Sequence, residues 1–474
     1  MKILLIQPPI LLYTSQIAPN MGLVFIAAVL EKEGITVEVI DSVADSLSID
    51  QIIDKIRLSK PDIIASGGQT PVSVNSLKIF RKTKKEISSE IVTLAGGPHF
   101  TFTAEESLEK CPELDIVVRG EAEYTVLEVC QKLQNREPLD QVKGITYRNS
   151  HNEIIKNSDR EQIADIDELP FPAWHLFPYK KYHWTGINML GTTTSRGCTF
   201  NCRHCITWKM HKGKRLRNPK KIVEEMVWVK RKFKVDTFFL QDDSTFTSRH
   251  HLESFLEEME KCREKIFWYY ETREDVLLKY EDLWKRMKDN GLFKIVIGLE
   301  TPNNDLRAFY GKSKLNKKEV EKMLYHFEHE LDILVAIYLL IGAPEETRES
   351  MLATLDYAKY LYPKYCSFII GVPVVPFPGT DLFIEMNEKN LINTYDWGVY
   401  GFGQPIIKTK VPIDEVHKLY KKFWVSVYSR PIACYTWIKS LFSKNRFRRA
   451  IGKNFLLMPF QIIKLSRMRG ITDD

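Results

Sequence analysis

Over residues 1–150, short β-rich runs alternate with helical patterns. Lys2–Gln7, Val37–Ile40, Asp62–Ser66, Ile91–Ala95 and Asp115–Val118 read as strands, and Met21–Lys32, Asp50–Leu58, Asn75–Lys84, Ala104–Glu109 and Glu123–Leu133 as the helices between them. Parallel strands cannot be joined by a tight turn and need a crossover, which helices supply, so the alternation predicts a doubly wound parallel sheet. Ligands of such sheets bind beyond the carboxyl ends of the strands. The segments found there are Ser66-Gly67-Gly68-Gln69-Thr70-Pro71, Gly96-Gly97-Pro98-His99 and Arg119-Gly120-Glu121. One Gly-Gly pair is ordinary turn chemistry; three such turns on one edge predict a bound ligand. No Gly-x-Gly-x-x-Gly follows the first strand and no Walker phosphate loop occurs, which argues against a dinucleotide.

Residues 151–190 break the alternation. Asp165-Ile166-Asp167-Glu168-Leu169-Pro170-Phe171-Pro172 and the aromatics up to Trp184 read as an ordered connector wrapped over a surface. A second alternating section begins near Gly191, with strands predicted at Leu190–Ser195, Thr237–Gln241, Ile266–Glu271, Lys294–Gly298, Leu334–Ile341 and Ser367–Val372, and amphipathic helices such as Pro219–Lys232 and His251–Lys261. Six βα units predict a partial (β/α)6 TIM-like barrel, active at the carboxyl ends of its strands. The fold class is α/β: a Rossmann-like sheet over 1–150, a linker over 151–190, a partial barrel over 191–400 and a small, mostly helical, basic region over 401–474. A chain of 474 residues with 44% hydrophobic and 27% charged residues can bury such cores and is not a disordered chain.

The chemistry concentrates in Cys198-Thr199-Phe200-Asn201-Cys202-Arg203-His204-Cys205, directly after the strand that ends in Thr193-Thr194-Ser195-Arg196-Gly197. Three thiolates on one short loop can hold three irons of a [4Fe–4S] cluster and leave the fourth iron open to a small molecule. The bland readings are a structural zinc, with His204 as fourth ligand, and chance clustering. Zinc sites come as two spaced pairs, however, and Cys111, Cys130, Cys262, Cys366 and Cys434 stand alone in helical or strand contexts. Cysteines so sparse suit a reducing compartment rather than a disulfide scaffold.

The triplet after a first barrel strand resembles the signature of the radical S-adenosylmethionine (radical SAM) family. That resemblance implies a cluster whose open iron binds the amino and carboxylate groups of SAM, and whose electron cleaves SAM to a 5′-deoxyadenosyl radical that abstracts a substrate hydrogen. Further segments are similar to the family's barrel. Phe238-Phe239-Leu240-Gln241-Asp242-Asp243 ends the second strand, where the resemblance puts a carboxylate near the SAM ammonium, Asp242 rather than Asp243. Tyr270-Glu271-Thr272-Arg273 ends the third, implying Arg273 as a SAM contact, and Gly298-Leu299-Glu300-Thr301 ends the fourth, where Glu300 is similar to a residue touching the ribose or methionyl part. Ile341-Gly342-Ala343-Pro344-Glu345-Glu346-Thr347 and Pro376-Phe377-Pro378-Gly379-Thr380 resemble the loops after the fifth and sixth strands, although capping or surface salt bridges would equally explain any one of these carboxylates.

Met21-Gly22-Leu23, Gly96-Gly97-Pro98-His99 and Val118-Arg119-Gly120-Glu121-Ala122-Glu123-Tyr124-Thr125, followed by Leu169-Pro170-Phe171-Pro172-Ala173, resemble the cobalamin-binding domain of the cobalamin-dependent, or class B, branch. The resemblance spans about residues 1–400. It implies cobalamin as a cofactor, with Gly67, Thr70, Gly96, Gly97, His99, Gly120 and Glu121 as binding residues. The Asp-x-His-x-x-Gly motif that supplies a lower axial histidine is absent, and His99, the only histidine before residue 150, reads as a cofactor-edge or structural residue. The activity implied is methylation of an unactivated carbon. The alternatives are oxidation or cyclisation with the same cofactors, and a non-catalytic iron–sulfur module at a membrane. Relatives in this family include lipid methylases and a porphyrin-ring cyclase, so a hydrophobic or lipid-like substrate is expected. The reaction also calls for an external one-electron reductant of flavodoxin or ferredoxin type.

The net charge of +7 is local: residues 421–474 hold twelve Lys/Arg against Asp473 and Asp474, which leaves the remainder slightly acidic. Aromatics alternate with these basic residues, as in Trp437-Ile438-Lys439-Ser440-Leu441-Phe442-Ser443-Lys444 and Phe455-Leu456-Leu457-Met458-Pro459-Phe460. A helical cap over the barrel with a solvated basic face is the first reading, an anionic membrane surface the second and nucleic acid, which lacks an accompanying motif, the last. The first apolar run is too short for a signal-peptide core, and the longest, Ile333–Ala343, is too short to span a bilayer. A cytoplasmic protein is the expectation, with peripheral contact at the inner face of the membrane following only from the second reading.

Overall fold

The computed structural model describes residues 1–10, 16–401 and 403–455. In the N-terminal sheet the parallel strands run Thr36–Asp41, Lys2–Gln7, Ile63–Gly67, Val92–Gly96 and Ile116–Val118 in space. Chain order therefore reverses between the first strand and the third, the place where a doubly wound sheet opens a crevice. Ile3, Leu4, Leu5 and Ile6 are all buried, an unbroken apolar run because both sheet faces are covered. Leu4, Ile6 and Ile64 pack with helices Ile49–Ser59 and Thr70–Glu86. Ile3, Leu5 and Ile63 pack with helices Met21–Lys32 and Glu123–Gln134, and that core continues into the barrel. The first of these four helices begins at a capping box, Ser48 with Gln51. Helix Thr70–Glu86 starts five residues before the predicted Asn75, because Pro71 fits the first turn, where no N–H is needed.

Strands Ile145–Arg148 and Ile154–Lys156 extend the sheet as an antiparallel hairpin. A domain boundary at residue 150 falls inside its turn, so the sheet runs on to Lys156 and the connector starts later than expected. In the connector Trp174 and Tyr182 are fully buried, and the Tyr182 hydroxyl donates to Asp41 at 2.7 Å.

Six parallel strands follow in consecutive order: Leu190–Thr192, Thr237–Leu240, Phe267–Thr272, Leu292–Glu300, Leu334–Ile341 and Phe368–Pro373. Helices Ile413–Tyr428 and Pro431–Leu441 come after the barrel, and residues 446–455 are helical. This last segment closes the amino end of the barrel. Phe447 stacks on Phe293 with centroids 3.8 Å apart and also touches Trp184 and Phe267. Arg446 pairs with Asp236 at 2.9 Å, and Arg448 with Glu328 at 2.5 Å. Leu456–Phe460 and the basic Lys464, Arg467 and Arg469 lie outside the described residues. Phe447 is 3% exposed, so Phe447→Ala is expected to destabilise the chain by about 3–5 kcal/mol in denaturant unfolding. A change below about 1 kcal/mol would mean that the segment does not cap the core.

Candidate active site

The cysteine loop hangs between two anchors. Ser195–Arg196 pairs antiparallel with Arg215–Leu216, which closes the loop at its base. Gly197 has φ +87°, and a Cβ there would lie 2.0 Å from the Gly213 carbonyl oxygen, so no other residue fits. The Asp242 carboxylate accepts from the N–H groups of Thr194 at 2.6 Å and Ser195 at 3.2 Å, from the Ser195 hydroxyl at 3.0 Å and from the Thr194 hydroxyl. The Asp243 carboxylate accepts from Gly197 N–H at 2.7 Å. Within the loop, Cys205 N–H donates to the Cys202 carbonyl at 3.1 Å and Phe200 N–H to the Cys198 sulfur at 3.4 Å.

Arg273 reaches this loop from the third strand. Its Nη1 donates to Cys202 Sγ at 3.4 Å, its guanidinium lies 4.1 Å from the Phe200 ring centroid, and Asp275 holds it at 2.9 and 2.8 Å. Burial pushes the thiols of Cys202 and Cys205 up, while the Arg273 charge works against that at Cys202. Among the described residues, no three His, Cys, Asp or Glu side chains gather as they would around one metal ion, and His204 packs edge-on against Tyr310. The donor set is three thiols on separate positions of one loop, which suits a cluster taking one thiolate per iron.

Glu300 closes the fourth strand with φ +62°, rare for a side chain of this kind and a form of strain that clusters at functional sites. Its carboxylate meets Lys312 Nζ at 3.0 Å. Burial pushes Glu300 up, but Lys312 and His204 outweigh it and hold the carboxyl below its ordinary value. Cys202, Arg273 and Glu300 thus come together at the barrel mouth. Asp242 is held apart from them: its carboxylate accepts from Thr194 and Ser195 and so shapes the loop. Strand alternation carries the signal that was missed. Phe239, Gln241 and Asp243 fall on one face, and Gln241 and Asp243 line the cavity described next.

That cavity, of about 290 Å³, opens at the sheet's order reversal. Leu5 and Gly67 flank it from the first and third strands; Gly96, Gly97, Gly120 and Glu121 add the sheet edge, and Thr193, Arg196, Gln241 and Asp243 come from the barrel. A Cβ on Gly67 would lie 2.1 Å from the Gly96 carbonyl oxygen, so the two glycine turns stand back to back. Thr70 and His99 are not among its lining residues. His99 is 2% exposed, its Nδ1 lies 3.2 Å from the Thr70 hydroxyl and its ring meets Trp397 edge-on. Burial pulls its pKa down to about 4, so it is neutral and structural. Glu121 lines the cavity but is fully engaged: it accepts from Arg215 at 2.7 and 2.9 Å, from Arg196 at 3.3 Å and from Ile163 N–H at 2.8 Å. It clamps the sheet to the barrel, a long-range role no local motif reveals.

The loop after the fifth strand is built by its own carboxylates. Glu345 pairs with Lys410 at 2.6 Å, and Glu346 accepts from Gly342 N–H at 2.6 Å and Ala343 N–H at 2.9 Å. Burial pushes the Glu346 carboxyl from its ordinary 4.5 up to about 7. A carboxyl that binds its proton more tightly in the folded state stabilises most at low pH. That contribution is full below the unfolded value and is lost as pH rises through the folded one. Between about pH 4.5 and 8, wild type is expected to lose about 3 kcal/mol relative to Glu346→Gln in denaturant unfolding. Parallel profiles for the two proteins would contradict this.

The family models agree with this geometry. The B12 binding domain matches residues 9–130 and the Radical SAM superfamily matches residues 192–358. The chain belongs to the cobalamin-dependent radical SAM enzymes. An uncharacterized methyltransferase of Pyrococcus horikoshii is 30% identical over 461 residues, covering 95% of this chain and 97% of the relative. The anaerobic magnesium-protoporphyrin IX monomethyl ester cyclase of Rubrivivax gelatinosus is 28% identical over 443 residues, covering 90% of this chain and 78% of the relative. The fold is also that of OxsB, a cobalamin-dependent S-adenosylmethionine radical enzyme solved with aqua-cobalamin and S-adenosylmethionine bound. That likeness has a TM-score of 0.71 and 18% identity, over 99% of this chain and 75% of that chain.

Proposed function

We propose that the enzyme methylates an unactivated carbon of a hydrophobic, lipid-like molecule. The carrying observation is that the sheet-edge glycines and the barrel residues Thr193, Arg196, Gln241 and Asp243 line one cavity, so a ligand on the sheet edge faces the barrel mouth. When bound, the cluster supplies the electron that cleaves SAM, and cobalamin supplies a transferable methyl group. Cys198, Cys202 and Cys205 would hold the cluster. Arg273 would sit beside it, and Glu300, fixed by Lys312, would accept hydrogen bonds from SAM. Gly67, Gly96, Gly97 and Gly120 leave the sheet edge without side chains, which suits the flat face of a corrin. Asp242 and Arg196 position the loop. No histidine from the sheet lines the cavity among the described residues; His211, from the barrel side, stands 3.5 Å from both Glu121 and Asp243.

Cyclisation or oxidation without methyl transfer is the second reading, favoured by the similarity to the Rubrivivax cyclase. Product stoichiometry separates the two. Reduced enzyme given SAM and a bacterial lipid extract is expected to form S-adenosylhomocysteine and 5′-deoxyadenosine in equal amounts. 5′-Deoxyadenosine alone would favour cyclisation. The electron would come from a flavodoxin- or ferredoxin-type donor.

No helix among the described residues is long and apolar enough to cross a membrane. Peripheral contact is supported by one exposed helix face, Ile432, Tyr435, Ile438 and Phe442, beside exposed Lys421, Lys422, Lys439 and Lys444. Arg446 and Arg448, by contrast, are held by the barrel.

A further inference from the structure

Along the third barrel strand, Phe267, Tyr269 and Glu271 share one face, while Trp268 and Tyr270 pack against Phe246 on the other. The first face looks into the barrel. Tyr269 stacks on Phe239 of the second strand at 4.4 Å, and its hydroxyl accepts from Gln16 Nε2 at 2.8 Å. Lys294 of the fourth strand lies with Nζ 4.1 Å from the Tyr269 ring centroid and 5.2 Å from that of Trp184. Up the lumen, Phe447 and Trp184 thus form a floor, Tyr269 and Lys294 the next layer, Glu271 the layer above, and Arg273 with Cys202 the mouth.

Glu271 and Lys294 are the unexplained pair of this interior. Glu271 is exposed although its strand is flanked on both sides by others, so it borders an open space within the barrel. Their strands pair in the sheet, but neither side chain has a hydrogen bond or an ion pair with a described residue; the two charges act on each other only through space. Lys294 is 7% exposed, and its Nζ lies over the faces of Tyr269 and Trp184. Burying the Lys294 ammonium without a hydrogen-bond partner is costly, and contact with a hydrocarbon returns none of that cost.

We infer that Glu271 and Lys294 form the substrate subsite, and that the substrate enters polar end first, with an anionic group for Lys294 and a hydrogen-bond donor beside it for Glu271. The substrate is then an amphiphile of the hydroxy-acid kind, its apolar part toward the mouth where the radical forms. This rests on reading the barrel as the reaction space and narrows the substrate from lipid-like to acidic and donor-bearing.

The test is calorimetric titration of the reconstituted full-length enzyme, with SAM present, using decanol, decanoate and 2-hydroxydecanoate. Decanoate is expected to bind about tenfold tighter than decanol, and the 2-hydroxy acid tighter again. Lys294→Met is expected to erase the preference for the acids, and Glu271→Gln only the advantage of the hydroxyl. Where a lone buried charge stops a single variant from folding, the neutral double variant Glu271→Gln/Lys294→Met is used and is expected to show neither preference. Equal affinities of wild type for the three probes, or preferences unchanged in the variants, overturn the subsite. Wild-type 5′-deoxyadenosine formation is read separately. If it is intact while the probes are not distinguished, the subsite falls and the reading of the barrel stands.

Discussion

Cys202→Ala is expected to bring SAM cleavage down to background. Cys202 is the middle thiol of the loop and the one that Arg273 Nη1 meets at 3.4 Å. Without it, two thiols remain for a cluster that needs one ligand on each of three irons. The fold should survive, because Cys202 is only partly buried and the loop's anchors, Asp242, Asp243 and the Ser195–Leu216 ladder, are untouched. Iron content, the electron paramagnetic resonance signal of the reduced protein and 5′-deoxyadenosine formation should therefore fall together at an unchanged melting temperature. Cys434→Ala, at an exposed cysteine remote in sequence from the loop, should alter none of them. Retained turnover by Cys202→Ala would refute the cluster assignment.

Arg196→Ala is expected to cost about 3–5 kcal/mol of stability, because it strands carboxylates in a buried network. Arg196 meets Glu123 at 2.5 Å and Glu121 at 3.3 Å, and both carboxylates are buried. Burial alone would push the Glu121 carboxyl up; His211, Arg215 and Arg196 hold it well below its ordinary value. Removing the guanidinium loosens the sheet from the barrel at the cavity itself, so cobalamin retention should fall as well. Arg196→Lys should rescue only in part, since one ammonium cannot fork to two carboxylates. Denaturant unfolding measures the first effect and cobalamin content after desalting the second. A cost under about 1 kcal/mol would show that the network is not coupled as described.

Periodicity made most of the fold legible. Met21–Lys32 and Leu334–Ile341 run as the sequence predicts, the first an apolar stretch of helix length and the second an apolar run of strand length, each set off by polar residues. The cysteine loop was legible because cluster ligation needs thiols at short spacing. Roles set by distant partners were not. Asp242 and Asp243 are adjacent and alike in sequence and both hold the loop, and only strand phase brings Asp243 to the cavity as well. Thr70 and His99 sit in the predicted turns, yet Trp397, some 300 residues on, covers His99. Arg446 and Arg448 read as free basic charge in the sequence, because their partners Asp236 and Glu328 lie far away in the chain. Glu271, within Tyr270-Glu271-Thr272-Arg273, carries no signal of its own, because nothing in its sequence neighbours tells a lumen from a helix-covered face.

The central claim is that the sheet edge and the barrel mouth hold two cofactors facing one space. Cobalamin content after anaerobic reconstitution with iron, sulfide and hydroxocobalamin, followed by desalting, tests it most directly. The account predicts one cobalamin per chain together with an intact cluster; a chain that carries the cluster and retains no cobalamin would contradict it.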